Sequence, residues 1–315
     1  MSDIKLFRVG STGVSELPAS SAQIEKSLQT LFEANLESLL GIRFLASEYS
    51  TGPVHGGRID SLGIDEDGSP VIIEYKRAVN ENVINQGLFY YDWLMDHKKD
   101  FQWLVMEKLG AEAASKVEWS APRLICIAGD FTRYDGHAVK QINRHIELLR
   151  YRRFGNELLM VELVHAPATS KGISLVANMA GVVSPSESAL QGKDPYASQT
   201  IEYRIANASK ELRDLYEAVA EYLKGLGDDV QVKPVKYYVG FKRIKNFVCV
   251  EVYPQAKQVT CFLKLNPDTV SLDQGFTRDV RKVGHFGTGD LEVVLRTFDD
   301  FTKAQPLFQR AYEGG

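Results

Sequence analysis

"GGRIDSLGIDEDGSPVIIEYKR", from Gly56 to Arg77, has the pattern of a β-hairpin. Two alternating runs flank an Asp-Gly turn signal. The middles of the two strands are unusual. Asp60, Glu74 and Lys76 stand where strands prefer β-branched and aromatic residues, and acids are depleted there. With the turn centred near Asp67, Asp60 falls opposite Glu74 and Arg58 opposite Lys76. Side chains alternate in direction along a strand, so all four share one face. Two carboxylates side by side repel unless a positive charge sits between them.

Two readings follow. In the simpler one, Asp60 or Glu74 forms cross-strand salt bridges with Lys76 or Arg58 on a solvated face. In the other, a divalent cation lies between the acids, and hard oxygen donors with open water positions suit Mg²⁺ or Mn²⁺. Asp60 and Glu74 are then monodentate ligands and the backbone carbonyl of Tyr75 adds a third protein oxygen. Water on such an ion is more acidic than bulk water and becomes a usable nucleophile. Lys76, one pleat repeat beyond Glu74, positions that water or stabilises developing negative charge.

Outward from the hairpin, the chain alternates helical and strand patterns. Ser20 or Ser21 caps a helix that Gly41 ends, with Ile24, Leu28, Leu31, Phe32, Leu36, Leu39 and Leu40 on one apolar face. "GIRFLASEY" reads as a strand before the hairpin. Helices are expected over about 81–96 and 99–109, a central strand at "PRLICIA", a helix over about 136–150, and a strand at "ELLMVELVHA". This order implies an α/β domain, residues 1–167, with helices on a mixed sheet. Residues 168–198, rich in Ala, Ser, Gly and Pro, read as a linker. Residues 199–315 read as a smaller α+β domain: a helix over about 199–226, a meander of strands, and a last helix opened by a Thr297/Asp300 capping box.

Composition is that of an ordinary globular protein: 315 residues, 44% hydrophobic, 25% charged. No apolar run approaches the ~20 residues of a membrane span, and the N-terminus lacks a signal-peptide pattern, so cytoplasmic residence is expected. Cys126, Cys249 and Cys261 each sit in an apolar strand and read as buried, reduced thiols. The net charge of −4 does not advertise a polyanion partner, yet local charge is what a polyanion feels. Between Arg133 and Arg153, six basic residues (Arg133, Lys140, Arg144, Arg150, Arg152 and Arg153) face two acids, Asp135 and Glu147.

"GRID" followed by "EYK", on consecutive strands with a helix after them, resembles the PD-(D/E)XK nuclease superfamily, and within it RecB-like nucleases of the NucS kind. Those carry a Gln-x-x-x-Tyr helix after the second strand, matched here by Gln86 and Tyr90 in "NQGLFYYDWL". An acid on the first helix is matched by Glu33 in "LFEANLESLLG". The usual Pro-Asp is Ile59-Asp60 here, a departure that leaves the ligand intact. The resemblance spans roughly residues 20–165. It implies a restriction-endonuclease-like fold and Mg²⁺-dependent (or Mn²⁺-dependent) hydrolysis of phosphodiester bonds, in DNA. It implies metal ligation by Asp60, Glu74 and the Tyr75 carbonyl, with catalysis by Lys76, Glu33 and Gln86. Nucleic-acid contacts are expected from Arg58, Arg77, Tyr90, Lys140, Arg144, Arg150, Arg152 and Arg153. Many enzymes of this fold act as homodimers to cut both strands. A catalytically inactive nucleic-acid-binding or regulatory protein that retained the fold is the alternative.

"YVGFKRIKNFVCVEV", "FLKLN" and "VGHFGTGDLEVVLRT" resemble an uncharacterised C-terminal domain found joined to nuclease-like domains. Its interleaved aromatic and basic residues, Tyr237, Tyr238, Phe241 and Phe247 with Lys242, Arg243 and Lys245, can serve a nucleic-acid surface. A half-buried strand with solvated lysines is the favoured reading.

Overall fold

The computed structural model describes residues 4–11, 13–20, 25–76, 82–155, 157–166 and 200–314. Arg77 and the expected linker lie outside the described residues. The chain forms two compact units, Met1–Pro167 and Ala168–Gly315.

The first unit opens with a small hairpin, β1 (Leu6–Gly10) and β2 (Gly13–Leu17), then β3 (Ala19–Ser20), for which the sequence shows no clear pattern. Next come α1 (Glu25–Glu33), α2 (Leu36–Leu40), β4 (Ile42–Ser50), α3 (Gly52–His55), β5 (Arg58–Asp65) and β6 (Pro70–Lys76). They are followed by α4 (Asn82–Asp96), α5 (Lys98–Leu109), α6 (Ala111–Ser115), β7 (Arg123–Ala128), α7 (Arg133–Gln141), β8 (His145–Phe154) and β9 (Leu158–His165). The main sheet has the order β3-β8-β7-β6-β5-β4, with β9 also on β8. β6, β7 and β8 run parallel, and β4, β5 and β9 pair antiparallel to their neighbours. This is a mixed sheet flanked by helices.

Gly41 ends the first helical region in the left-handed conformation, φ +66. That region is two helices rather than one, parted at Ala34 and Asn35. The β5–β6 hairpin pairs in the anticipated register from Ser61↔Ile73 to Ile64↔Pro70. Its turn is built on Asp65, whose Oδ1 accepts from the amides of Asp67 (3.0 Å) and Ser69 (2.8 Å). On the β6 side the backbone ladder runs no further than Ser61, and on the other edge of β5 Arg58 pairs with Ser50 of β4. Leu62, Ile64 and Ile72 pack with Val83, Ile84, Tyr91 and Leu94 of α4. On the opposite face the rings of Phe32 and Tyr75 meet edge to face at 5.9 Å.

The expected helix over 136–150 is corrected by the structure. α7 starts earlier, on a Thr132/Asp135 capping box, and residues 145–154 are β8. Pairing of this run with β7 buries Ile146, Leu148, Leu149 and Tyr151, a gain that overrides helical spacing of the same residues.

A buried ion triad lies at the turn end of the sheet. Arg123 Nε and Nη2 donate to the two oxygens of Glu147 at 2.7 and 2.8 Å, and Nη1 donates to Asp65 Oδ2 at 3.1 Å. It ties the hairpin turn to the starts of β7 and β8.

The second unit holds α8 (Ile201–Ala206), α9 (Lys210–Gly225), strands β10 (Gln231–Pro234), β11 (Val239–Lys242), β12 (Asn246–Tyr253), β13 (Gln258–Leu263), β14 (Thr277–Asp279) and β15 (Leu291–Leu295), and α10 (Phe298–Gly314). The single helix expected over 199–226 is broken where Ser209 caps α9. The strands form one antiparallel sheet, order β10-β11-β12-β13-β15-β14. Val248, Val250 and Val252 pack with Leu215, Val219 and Phe308. Phe241 and Phe247 are fully buried and Lys242 is buried with them, so they act as core rather than as a stacking surface. All three cysteines are free and buried. Among the described residues no helix is long and apolar enough to cross a membrane.

Arg123→Ala, which strips the cation from between two buried acids, is expected to destabilise the first unit by about 3–5 kcal/mol. Removing the exposed Lys116–Glu112 pair, which water and salt screen, should leave stability almost unchanged by comparison. Urea denaturation of both variants checks the contrast.

Candidate active site

Beyond the Ser61↔Ile73 pair, β5 and β6 are joined through side chains. The amide of Asp60 donates to Glu74 Oε1 at 3.2 Å, and the amide of Tyr75 donates to Asp60 Oδ2 at 3.0 Å. The two carboxylates therefore cross between the strands and take acceptor roles that carbonyls fill elsewhere in the ladder. Each acid is oriented by a backbone N–H of the opposite strand. Asp60 is half-buried and lines a cleft, whereas Glu74 is fully buried behind it. Lys76 ends β6, half-buried, on the side of the strand that Glu74 shares.

Glu33, the last residue of α1, approaches from the other face. Its Oε1 accepts from Ser61 Oγ at 2.6 Å and from Gln29 Nε2 at 2.9 Å. Ser61 Oγ also points to the Tyr75 hydroxyl at 3.4 Å. Burial, with Glu33, Asp60 and Glu74 nearby, pushes that hydroxyl's pKa well above the usual tyrosine value. Among the described residues no three His, Cys, Asp or Glu side chains gather into a metal-binding cluster. Glu33 thus stands beside the Asp60/Glu74 pair rather than completing a third carboxylate ligand.

Gln29 is the residue that sequence reasoning missed. It is buried, and its Nε2 lies 2.7 Å from the Asp60 carbonyl and 3.2 Å from Ser47 Oγ, besides serving Glu33. One amide thereby fastens α1 to β4 and to β5 at Asp60. The available signal was the polar set Lys26, Gln29, Glu33, whose helical spacing runs alongside the apolar face of α1.

The opposite wall of the cleft comes from α4. Gln86 Nε2 donates to the Tyr90 hydroxyl at 3.1 Å, and the same hydroxyl accepts from the Arg58 amide at 3.2 Å. The Gln-x-x-x-Tyr pair is therefore one connected brace on β5, with Tyr90 buried and Gln86 half-buried. A Cβ at Gly57 would stand 2.5 Å from the Tyr90 ring, which explains a glycine there. Thr51 closes the loop around α3: its Oγ1 accepts from the Gly57 amide at 2.9 Å. The cleft, about 730 Å³, lies between this loop, Glu48, Arg58, Asp60, Gln86 and Tyr90.

The basic residues divide. Arg58 is exposed at the cleft. Lys140 and Arg144 are exposed on and just after α7, with Arg144 over the Tyr91 ring at 5.4 Å. Arg152 and Arg153 are half-buried in β8. Arg150 does not fit the expected backbone contact. It is buried, donating to Asp130 Oδ1 at 3.0 Å and to Glu162 Oε2 at 2.7 and 2.9 Å, so its charge is used inside the fold. Arg77 lies outside the described residues.

Residues 201–314 match a family model described as a domain of unknown function, DUF5655. An uncharacterized protein of Haemophilus influenzae is 27% identical over 310 residues, covering 98% of this chain and 99% of its own. Among solved structures, the chain is similar to a repair endonuclease from Pyrococcus abyssi at 21% identity and TM-score 0.28, over 44% of this chain and 51% of that one. It is similar to an EndoMS–dsDNA complex at 21% identity and TM-score 0.26, over 44% and 51%. The chain spans about half the length of these solved structures.

Gln29→Leu removes three hydrogen bonds made by one buried amide and is expected to lower stability by about 1–3 kcal/mol. Thr30→Ala, which alters only an exposed hydroxyl bonded to Lys26 O, should stay within about 0.5 kcal/mol. Chemical denaturation of the two variants tests this.

Proposed function

We propose that this chain is a metal-dependent nuclease that hydrolyses phosphodiester bonds in DNA. The observation that carries the reading is the crossed pair of hydrogen bonds that presents Asp60 and Glu74 together at the end of the β5–β6 ladder, beside a cleft. The donor set fits Mg²⁺ or Mn²⁺: all-oxygen, two carboxylates, no thiolate or imidazole, with room for the waters that Mg²⁺ retains. Asp60, Glu74 and the carbonyl of Tyr75 would hold the ion. Such an ion, when bound, supplies an acidified water and neutralises phosphate charge.

The remaining roles follow from position. Lys76, at the end of β6, brings an ammonium to orient the attacking water and to stabilise the charge that grows on phosphorus-bound oxygens. Glu33 holds Ser61, and so the segment of β5 that carries Asp60. Gln86 holds Tyr90, which fixes the amide of Arg58 and the cleft wall. Arg58, exposed at the rim, meets the phosphate backbone. Two copies acting as a homodimer would supply a cut on each strand, and the second unit would select substrate or partner.

The burial of Glu74 favours a second reading, a nucleic-acid-binding protein without catalysis, because a cation must reach a carboxylate with no exposed surface. Nicking of supercoiled plasmid and of single-stranded DNA with Mg²⁺ or Mn²⁺ separates the two. Wild-type protein is expected to nick, Asp60→Ala to be inactive, and Lys76→Ala to lose about 10²-fold or more. Cleavage that persists in both variants would sink the site, and binding with no cleavage by the wild type would favour the second reading.

A further inference from the structure

Glu48 lies in β4 with φ +51, a left-handed conformation that a residue with a Cβ adopts only at a cost. Its neighbours Ser47 and Tyr49 pair with Ser61 and Ile59 of β5, so Glu48 stands level with Asp60. The side chain turns to the cleft mouth, where two cations from two elements meet it. Lys26 Nζ of α1 donates to Oε1 at 2.8 Å, and Arg58 Nη1 of β5 lies 3.4 Å from Oε2. Lys26 is steadied by Gln29 Oε1 at 3.1 Å. Its hydrogen bond to Glu48, together with Glu33 and Asp60 nearby, holds its pKa above the usual lysine value, so it stays charged.

An ion pair between solvent-exposed side chains contributes little to stability, and Lys26 and Arg58 are both more than half exposed. The strain at Glu48 is therefore poorly accounted for by the fold alone. Lys26 and Arg58 bring two cations to one carboxylate, an excess of one positive charge within the trio that Asp60, in the same cleft, offsets. Arg and Lys together suit a phosphate group, which accepts several charged donors at once.

We propose that Lys26 and Arg58 form a phosphate subsite at the mouth of the cleft, for a phosphate of the nucleic-acid backbone, and that Glu48 is its internal counter-ion. An incoming phosphate displaces the Glu48 carboxylate. Glu48 thus raises the threshold for binding, so that a polyanion reaching across the cleft is favoured over a small free anion. The subsite rests on the nuclease reading for its ligand, a phosphodiester backbone, but not on cleavage.

Binding is measured with labelled single-stranded and duplex oligonucleotides, in EDTA and across a salt series, on Lys76→Ala protein. Lys26→Met and Arg58→Met are each expected to weaken binding and to lower the slope of log affinity against log salt by about 0.7–0.9. Glu48→Gln is expected to tighten binding severalfold, and adding Lys26→Met should remove that gain. Glu48→Gly, which also relaxes the backbone, should match Glu48→Gln and melt no lower than its parent. Unchanged slopes in both cation variants, or an unchanged or weakened Glu48→Gln, would overturn the subsite. Plasmid nicking by protein with Lys76 intact is scored separately. Binding that follows this pattern without nicking retains the subsite and removes the nuclease reading, and nicking with flat slopes does the reverse.

Discussion

The candidate site depends on β5 and β6 staying in one register up to Ser61 and no further. A slip of one residue would turn every side chain of a strand to the other face, and Asp60 would trade places with Ser61. Register is held at the far end of the hairpin, by the Asp65 turn and by Arg123 clasping Asp65 and Glu147. At the near end the ladder gives way to carboxylates. The two ends have opposite electrostatic designs: a buried cation surrounded by acids at the turn, and acids held by amides at the cleft.

Bracing from both faces of the sheet completes the arrangement. α1 delivers Gln29 and Glu33 to the Ser61 side, and α4 delivers Tyr90 and Gln86 to the start of β5. Both braces grip the backbone of β5. Gln29 holds the peptide carbonyl of Asp60, and Tyr90 holds the peptide amide of Arg58, two residues earlier. Backbone positions on either side of Ile59 are thereby set by helices packed on opposite layers. Such an arrangement suits chemistry that depends on sub-ångström placement.

Much of this was legible in the residues. The Asp-Gly turn and the alternation of the flanking runs specify the hairpin and its register, and the one-turn spacing of Gln86 and Tyr90 foreshadows their contact. β8 was not legible, because "HIELLRYRRF" has a helix-compatible spacing and only pairing with β7 makes it a strand. For the same reason Arg150 looked like surface charge, although Asp130 and Glu162, which neutralise it, are distant in sequence. Gln29 and Glu48 were hidden differently. A glutamine on an amphipathic helix looks solvated until its partners on β4 and β5 are known, and a left-handed φ at a glutamate leaves no trace in composition.

The crossed hydrogen bonds make two backbone amides into local sensors of charge. The N–H groups of Asp60 and Tyr75 each end on a carboxylate oxygen rather than a peptide carbonyl. Capture of a cation or a proton by either acid would change the acceptor those amides see, while the neighbouring Ser61↔Ile73 pair keeps its own. In a nitrogen–proton correlation spectrum these two resonances would therefore move with occupancy of the cleft, ahead of any displacement of the fold.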